Sequence, residues 1–338
     1  MNFLRKLLFP FSLLYGGITA LRNFLYNKGL LNSKGYDFPV ICVGNLSTGG
    51  TGKSPMIELL VSFLKDSHKI AVLSRGYKRK TSGYLEVLAD SMVEEVGDEP
   101  LQFKKKYPEI TVAVCEDRQT GIEKLKKIAD VVLLDDAFQH RKVKASFNIL
   151  LTSFDKLYSN DCILPTGNLR EPKFGAKRAD IIVVTKCPES LENSEMEAIK
   201  RKLKPKPHQE IYFSKIGYSS EIKNKTESKP LSYLKNQTFL LVTGIANPKP
   251  LVEFLKNEGL NFEEKSFPDH HNFTASEIEV LKKHSLILTT EKDFMRLHPI
   301  TSATEIYYLP IKTVILNEAE SSFKRRIERE VNLKKIFT

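Results

Sequence analysis

Short apolar runs alternate with helical stretches along the first two thirds of the chain. The runs predicted to form strands are Val40–Val43, Ile70–Leu73, Ile110–Val114, Val131–Leu134, Phe147–Leu151 and Ile181–Val184. The predicted helices between several of them are Pro55–Lys65, Gln119–Ile128 and Leu191–Leu203. Continuous apolar strands that alternate with helices are typical of an α/β fold. The pattern therefore predicts a mainly parallel sheet with helices on both faces.

A polar, lysine-rich stretch at 219–235 interrupts this alternation. Further strands are predicted at Phe239–Val242, Leu286–Thr289 and Ile306–Leu309, and further helices at Pro250–Asn257 and Ala275–Lys283. The 338 residues also exceed one domain, which typically takes about 150 residues. We predict an N-terminal helix in residues 1–36, a larger α/β domain at 37–218, a linker or two-stranded hinge at 219–237, and a smaller C-terminal α/β domain at 238–338.

The N-terminal segment combines basic residues with an apolar run. No acidic residue precedes Asp37, and the stretch LLFPFSLLYGGITAL between Lys6 and Arg22 is uncharged. The stretch is shorter than the roughly 20 residues that span a bilayer, and Pro10 and two glycines interrupt it. We therefore predict an amphipathic helix on an anionic membrane surface. A core helix with a basic exposed face and a cleaved signal peptide are the alternatives.

Composition narrows the class of protein. Apolar residues make up 41% and charged residues 28% of the chain, which excludes a disordered or collagen-like protein. The four cysteines form no CxxC pair, so neither a disulfide framework nor a zinc ribbon is indicated. The net charge of +11 indicates an anionic partner, such as nucleic acid, acidic lipid or a phosphorylated substrate.

The strongest local motif is GNLSTGGTGKSP at residues 44–55. An apolar strand, a glycine-rich turn and a helix that begins near Lys53 are the context of a phosphate-binding loop. Lys53 would neutralise the β- and γ-phosphates, and the Ser54 hydroxyl would ligate Mg²⁺. The spacing departs from the strict pattern at Ser47, and a tight turn without a ligand is the alternative. The residues predicted to bind nucleotide are Ser47, Thr48, Gly49, Gly50, Thr51, Gly52, Lys53 and Ser54.

A second motif, VVLLDDAFQH at residues 131–140, resembles the strand that ends in metal-binding carboxylates in P-loop enzymes. Asp135 or Asp136 would hold Mg²⁺ directly or through water. Because parallel strands end at the same crevice, we expect both carboxylates to lie near Lys53. The two motifs together predict binding of ATP or GTP with Mg²⁺.

Two further polar clusters are candidates for acid–base chemistry. A kinase needs a group that takes the proton of the acceptor hydroxyl, and Asp98 of GDEP lies on a predicted loop where it can do so. A solvated turn is the alternative for GDEP. Asp269, His270 and His271 follow Phe267-Pro268 and suit either an acid–base site or a polar loop. No spacing around the histidines completes a zinc site.

The ordered motif series carries a family resemblance. The series is GNLSTGGTGKSP, SRGYKRK, GDEP, LLDDAFQH, LPTGNLREP, VTK, TGIANP, FPDHH and TEKD. It resembles the tetraacyldisaccharide 4′-kinases, the lipid A 4′-kinases of Gram-negative bacteria. The resemblance implies a P-loop NTPase-like kinase domain at 37–218. It also implies that ATP and Mg²⁺ serve to phosphorylate the 4′-hydroxyl of a tetraacylated glucosamine disaccharide 1-phosphate, which forms lipid IVA.

The resemblance also implies roles for individual residues. Asp98 matches the family's catalytic base, and His270 matches its partner, although His271 adjoins it. Lys53 and the 47–54 loop match the ATP site. The residues implied to hold the metal are Ser54, Asp135, Asp136 and Glu171, and those implied to bind substrate are Arg75, Tyr77, Arg118 and Arg170. Ser54, Ala137 and Phe273 stand where the family commonly has threonine, glycine and tyrosine.

The resemblance implies a peripheral, monotopic enzyme on the cytoplasmic face of the bacterial inner membrane, held there by its N-terminal helix. The sequence indicates no obligate protein partner. A membrane-associated P-loop ATPase switch without a lipid substrate is the main alternative, and it would need no acceptor base. A nucleic-acid-dependent NTPase is supported by net charge alone, and we predict no nucleic-acid partner.

Overall fold

The computed structural model describes residues 5, 7–269, 271, 273–297 and 305–335. The chain divides into two compact units. The larger unit comprises Met1–Ile216 and Thr313–Thr338, and the smaller unit comprises Gly217–Lys312. The chain therefore passes between the units twice.

The larger unit is built on a nine-stranded sheet. Its strands are β1 (Val40–Asn45), β2 (Ile70–Ser74), β3 (Leu85–Glu86), β4 (Thr111–Val114), β5 (Val131–Asp135), β6 (Phe147–Ser153), β7 (Ile181–Thr185), β8 (Glu210–Tyr218) and β15 (Ile311–Ile315). Its helices are α1 (Phe9–Asn27), α2 (Lys53–Leu64), α3 (Val93–Val96), α4 (Asp98–Lys106), α5 (Arg118–Leu125), α6 (Asn193–Leu203) and α10 (Glu320–Lys335). The strand order is β15-β8-β7-β6-β1-β5-β2-β4-β3.

The sheet is mainly parallel and covered on both faces, as the apolar runs predict. In the order β8-β7-β6-β1-β5-β2-β4 every neighbouring pair of strands is parallel. The short strand β3 pairs antiparallel with β4. Alternate residues of β1 enter two separate cores, because successive side chains of a strand point to opposite faces. Ile41 and Val43 pack in one core with α2 and α10. Val40 and Cys42 pack in the other with α5 and α6.

The smaller unit has the same layered construction. Its strands are β9 (Glu221–Lys223), β10 (Ser228–Pro230), β11 (Phe239–Thr243), β12 (Phe262–Ser266), β13 (Leu286–Thr290) and β14 (Glu305–Leu309), and its helices are α7 (Lys249–Asn257), α8 (Ala275–Leu281) and α9 (Glu291–Leu297). The strand order is β10-β9-β14-β13-β11-β12. The four strands from β14 to β12 are parallel, whereas β9 and β10 pair antiparallel at one edge.

The segment boundaries of the structure differ from those expected from composition. Residues 219–237, assigned to a linker or two-stranded hinge, form the antiparallel pair β9 and β10 and a 3₁₀ turn, and they belong to the smaller unit. Residues 313–338 belong to the larger unit, where Phe323, Ile327 and Val331 of α10 complete its core. Polar composition marks exposed edge strands here, and composition alone does not distinguish them from a linker.

Helix α1 carries its polar residues inward and its apolar residues outward. Ser12, Thr19 and Asn23 are buried on it, whereas its large apolar side chains from Phe9 to Phe24 are exposed. The helix is continuous through the residues expected to interrupt it: Pro10 lies in the first turn, where its missing N–H is not needed. A Cβ at Gly16 would lie 3.1 Å from Ile163, so glycine permits the close approach. None of the described helices has the length and apolar content needed to cross a bilayer.

Candidate active site

The carboxyl ends of neighbouring parallel strands converge at the phosphate-binding loop. β1 pairs with β5, and β5 with β2, so the loop after Asn45, the Asp135–Asp136 pair and Ser74 lie at one edge of the sheet. This is the edge where α/β sheets bind ligands. Ser74 Oγ donates a hydrogen bond to Asp135 Oδ2 at 3.1 Å.

The loop between β1 and α2 is fixed by neighbouring strand ends. Gly52 has a φ of 86° immediately before α2, a left-handed conformation that favours glycine. Thr185 Oγ1 donates to the carbonyl of Thr51 at 2.8 Å, and Lys186 Nζ donates to that of Gly50 at 2.6 Å. The Thr48 N–H donates to the Asn168 carbonyl at 2.8 Å. The loop is thus held by hydrogen bonds to the end of β7 and to the 164–172 segment.

Lys53 and Arg170 converge on one carboxylate. Lys53 Nζ lies 3.7 Å from Asp136 Oδ1. Arg170 donates from Nη1 to Oδ2 at 3.2 Å and from Nη2 to Oδ1 at 2.8 Å. Burial alone would raise the pKa of Asp136, but the Arg170 hydrogen bonds and the Lys53 charge lower it below its usual value. Asp136 is therefore an ionised carboxylate that positions two cations.

Asp135, Ser54 and Glu99 present oxygens that suit a divalent cation. Asp135 Oδ1 is buried without a hydrogen-bond partner among the described residues. Ser54 Oγ donates to Glu99 Oε1 at 2.8 Å. Burial, then the charges of Glu99 and Asp136, raise the pKa of Asp135 to about 7. No group of three or more such ligands closes around one point in the described ranges. The donor set fits Mg²⁺, which keeps several waters and takes one or two carboxylates plus substrate phosphates.

We expect Asp135→Asn to stabilise the metal-free protein at neutral pH. The folded-state pKa of Asp135 is about 7, against an ordinary 3.8, so stability is lost as pH rises through this window. The limiting slope is about 1.4 kcal/mol per pH unit. Urea unfolding with EDTA should show the advantage of Asp135→Asn growing from pH 4 to pH 7. Asp66→Asn, at an exposed site, is the control, and a constant difference between Asp135→Asn and wild type contradicts the expectation.

Asp98 is the first residue of α4, next to the residue that contacts Ser54. The SRGYKRK loop is fastened just before it. The Lys80 N–H donates to the Glu94 carbonyl of α3 at 2.7 Å, and Thr81 Oγ1 donates to the Glu95 carbonyl. These two bonds hold α3, which ends two residues before Asp98.

The substrate candidates divide into exposed and buried residues. Arg75 is exposed, and Tyr77 is 74% exposed. Arg118 is instead 3% exposed. Its Nη2 donates to the Asp135 carbonyl at 3.3 Å and its Nη1 to that of Cys115. Arg118 therefore supports the end of β5, and its role in substrate binding stays a prediction.

Glu171, predicted to belong to the metal shell, has an ion pair and hydrogen bonds of its own. The side chain is fully buried. Arg178 donates to both of its oxygens, at 3.0 and 2.7 Å. Asn23 Nδ2 of α1 adds a bond at 2.7 Å, and Gln139 Nε2 one at 3.3 Å. Glu171 thus fastens α1 to the loop that follows β5.

Glu171→Gln is expected to destabilise the protein by about 3–5 kcal/mol, because it removes the buried carboxylate of an ion pair and leaves the partly buried Arg178 without it. Its residual activity should keep the wild-type Mg²⁺ dependence. Denaturant unfolding and an Mg²⁺ titration measure the two effects. The control is Glu197→Gln, which removes a surface ion pair with Lys200 and should cost under about 1 kcal/mol. A stable Glu171→Gln protein with a shifted Mg²⁺ midpoint would instead support a role of Glu171 in metal binding.

Of the two histidines of FPDHH, the structure describes His271. His270 lies outside the described residues. His271 Nε2 is 2.9 Å from Glu277 Oε2, and its ring stacks on Phe267 at 4.7 Å and meets Phe273 edge-on at 5.1 Å. His271 is therefore held by contacts within the smaller unit.

Three further residues belong to the site, although the sequence analysis assigned them no role. Glu99 contacts Ser54, Lys186 holds the phosphate-binding loop, and Arg178 neutralises Glu171. Glu99 lies beside Asp98 in GDEP, and Lys186 ends the VTK motif, so both had a signal. Arg178 lies in a 3₁₀ turn at Lys173–Arg178 without a recognisable motif.

Comparisons with known proteins extend over nearly the whole chain. The family model described as LpxK, Tetraacyldisaccharide-1-P 4′-kinase, matches residues 4–332. The tetraacyldisaccharide 4′-kinase of Flavobacterium johnsoniae is 50% identical over 327 residues, covering 95% of this chain and 96% of the relative. That of Bacteroides thetaiotaomicron is 43% identical over 351 residues, covering 96% and 92%.

A solved structure agrees with this assignment. The crystal structure of LpxK from Aquifex aeolicus in complex with ATP has a TM-score of 0.78 and 35% identity to this chain. The match covers 97% of this chain and 99% of that one. On sequence and fold together, this chain belongs to the tetraacyldisaccharide-1-P 4′-kinase family.

Proposed function

We propose that this protein transfers the γ-phosphoryl group of ATP to the 4′-hydroxyl of a tetraacylated glucosamine disaccharide 1-phosphate, a step in lipid A biosynthesis that forms lipid IVA. The observation that carries the proposal is the convergence of Lys53, Arg170 and the Asp135–Asp136 pair on one phosphate-binding loop. Family membership supplies the acceptor, and the Aquifex aeolicus relative was solved with ATP.

In this mechanism the residues position charge and move one proton. The backbone N–H groups of the 47–54 loop and Lys53 bind the β- and γ-phosphates. Asp98 takes the proton as the hydroxyl oxygen attacks the γ-phosphorus. The bond from this phosphorus to the bridging oxygen breaks, and ADP leaves. By family resemblance, His270 would orient Asp98 or raise its basicity, and Arg75 and Tyr77 would contact the sugar headgroup.

Mg²⁺ would neutralise charge on the β- and γ-phosphates when bound. Ser54, Asp135 and Glu99 are the residues proposed to hold it, directly or through water. Arg170 keeps Asp136 ionised beside Lys53, so this carboxylate would hold the lysine in place before ATP arrives.

The exposed apolar face of α1 supports peripheral attachment to a membrane, which we propose to be the cytoplasmic face of the bacterial inner membrane. The opposite, polar side of the helix is bound to the protein. Ser12 Oγ donates to Thr166 Oγ1 at 2.7 Å, and Tyr15 Oη donates to the Arg170 carbonyl at 2.9 Å. An apolar face that a protein leaves uncovered in this way is typical of an interfacial helix.

Leu14→Glu is expected to weaken binding to anionic vesicles at least about tenfold, because burying one leucine contributes about 1.5–3 kcal/mol. Leu14 is 65% exposed on α1, so the thermal unfolding midpoint should not change. Co-sedimentation with vesicles measures the effect. Leu88→Glu, at a 54% exposed leucine outside α1, is the control, and equal losses in both variants would remove the membrane role of α1.

The function itself is tested by transfer of ³²P from the γ-position of ATP to purified disaccharide 1-phosphate lipid in detergent micelles. A new lipid bisphosphate is the expected product. ATP hydrolysis without any labelled lipid would instead favour a membrane-associated ATPase switch.

A further inference from the structure

Two arginines lie where the last turns of α1 contact the loop that follows β5: Arg141 contacts Tyr26, and Arg22 precedes Tyr26 by about one helical turn. Arg22 belongs to α1, and its Nε is buried without a hydrogen-bond partner. Arg141 Nη1 is also buried and unpartnered. Arg141 Nη2 donates to Asn27 Oδ1 at 2.8 Å, and its guanidinium lies 5.3 Å from the ring centroid of Tyr26. Each arginine thus retains a donor that no described protein group satisfies.

The charges around these arginines do not balance. The positive charge of Arg178 lowers the pKa of Arg141, and the negative charge of Glu171 raises it. Both oxygens of Glu171 already accept from Arg178. Burial, with the like charges of Arg178 and Arg22, lowers the pKa of Arg141 to about 10. Within the described part of the chain, the guanidinium groups of Arg22 and Arg141 therefore have no carboxylate of their own.

The surroundings of Arg22 indicate which kind of anion it would contact. Leu21 and Phe24 are 59% and 51% exposed on the same helix. They belong to the face that would enter the bilayer, so the polar edge beside them lies at headgroup depth. The anion found at this depth is phosphate, whose oxygens match the paired donors of a guanidinium.

We propose that Arg22 and Arg141 form a subsite for the phosphate group of a lipid headgroup. The arginines are distinct from the residues assigned to ATP, to the metal and to the acceptor base. The phosphate can come from two sources, the 1-phosphate of the lipid substrate or an acidic phospholipid of the bilayer. The substrate source rests on the proposed kinase function, whereas the phospholipid source rests only on the proposed attachment of α1 to a membrane.

The test compares Arg22→Gln, Arg141→Gln and the double variant with Lys28→Gln. Lys28 is exposed at the end of α1, so this control removes the same charge from the same end of the helix. Because Arg141 also bonds Asn27, Arg141→Lys accompanies it. The lysine keeps the charge while losing the paired geometry, and its effect should be intermediate. Thermal unfolding confirms that each variant is folded.

The first arm measures KM and kcat in neutral detergent micelles without phospholipid. The acceptors are the disaccharide 1-phosphate lipid and the same lipid with a free 1-hydroxyl. If the substrate supplies the phosphate, each arginine variant should raise KM for the 1-phosphate lipid about 10- to 100-fold, the effect of losing a charged hydrogen bond. KM for the 1-hydroxyl lipid should be the same as in wild type.

The second arm measures binding to substrate-free vesicles, either of phosphatidylcholine alone or of equimolar phosphatidylcholine and phosphatidylglycerol. If the bilayer supplies the phosphate, the arginine variants should lose about 10- to 100-fold in affinity for the anionic vesicles. The loss should exceed that of Lys28→Gln, and KM in micelles should not change. Either pattern supports the subsite.

The proposal is overturned if the arginine variants match Lys28→Gln within about twofold in both arms, because general surface charge then explains the effect. That result leaves the kinase function intact when wild type still labels lipid. If wild type labels no lipid but anionic vesicle binding depends on both arginines, the function fails and the subsite stands.

Discussion

Replacing Asp98 with asparagine is expected to lower kcat for lipid phosphorylation by about 10²- to 10⁴-fold, the usual contribution of a general base. The asparagine keeps the size of the side chain at the start of α4, but it cannot take the proton of the acceptor hydroxyl. ATP binding should not change, because the phosphate-binding loop and Lys53 are intact. Phosphate transfer to the lipid and equilibrium nucleotide binding measure the two quantities separately.

The matched control for this variant is Glu94→Gln. Glu94 is an exposed acidic residue of α3, one turn before Asp98, and its replacement removes the same charge from the same region. It should retain the wild-type rate. Lipid labelling by Asp98→Asn at the control's rate would remove Asp98 from the mechanism. ATP hydrolysis that survives Asp98→Ala, without lipid labelling by wild type, would support the switch interpretation.

Lys53→Ala is expected to lower kcat/KM by about 10²- to 10³-fold, as removal of one preorganised charge contact to a transition state does. The rate at saturating ATP, kcat, should fall as well, because the lysine charge acts on the transferring phosphoryl group. A loss of ATP binding alone would raise KM and leave kcat unchanged. The substitution also removes a cation 3.7 Å from Asp136, although Arg170 continues to pair with that carboxylate. Initial rates at varied ATP separate kcat from KM.

Lys65→Ala provides the control for Lys53. Lys65 follows the last turn of the same helix, α2, and forms an exposed pair with Glu109. Its removal takes the same charge from the helix without touching the loop. Equal rate losses in Lys53→Ala and Lys65→Ala would show that net charge, and not the position of Lys53, governs the reaction.

The apolar runs predicted six strands of the larger sheet, β1, β2 and β4 to β7, and their parallel pairing, whereas β3, β8 and β15 were not predicted. Each strand is a local run, and burial on both faces leaves no polar alternation to interpret. Segment boundaries were harder to predict. The chain leaves the larger unit within β8 and returns within β15, and no sequence pattern records that residues far apart share a sheet.

The roles of residues were also predictable where they depend on a local segment, and harder to predict where they depend on other parts of the chain. Gly52, Lys53 and Ser54 act through the local backbone and one strand–loop–helix unit, so a short motif identified them. Glu171 and Arg118 have equally suggestive contexts, but each also bonds a segment elsewhere in the chain. The Asn23–Glu171 hydrogen bond joins residues 148 positions apart, and Arg118 is buried beneath the end of β5.

The sequence by itself determined the α/β architecture, the phosphate-binding loop, the carboxylates after β5 and the family, because each is written in contiguous residues. Tertiary structure alone decided which side of α1 faces the protein, that Glu171 pairs with Arg178, and that Arg141 contacts the last turns of α1. The physical reason is that hydrogen bonding and desolvation depend on which groups meet in space. Those meetings join segments that the chain order keeps apart.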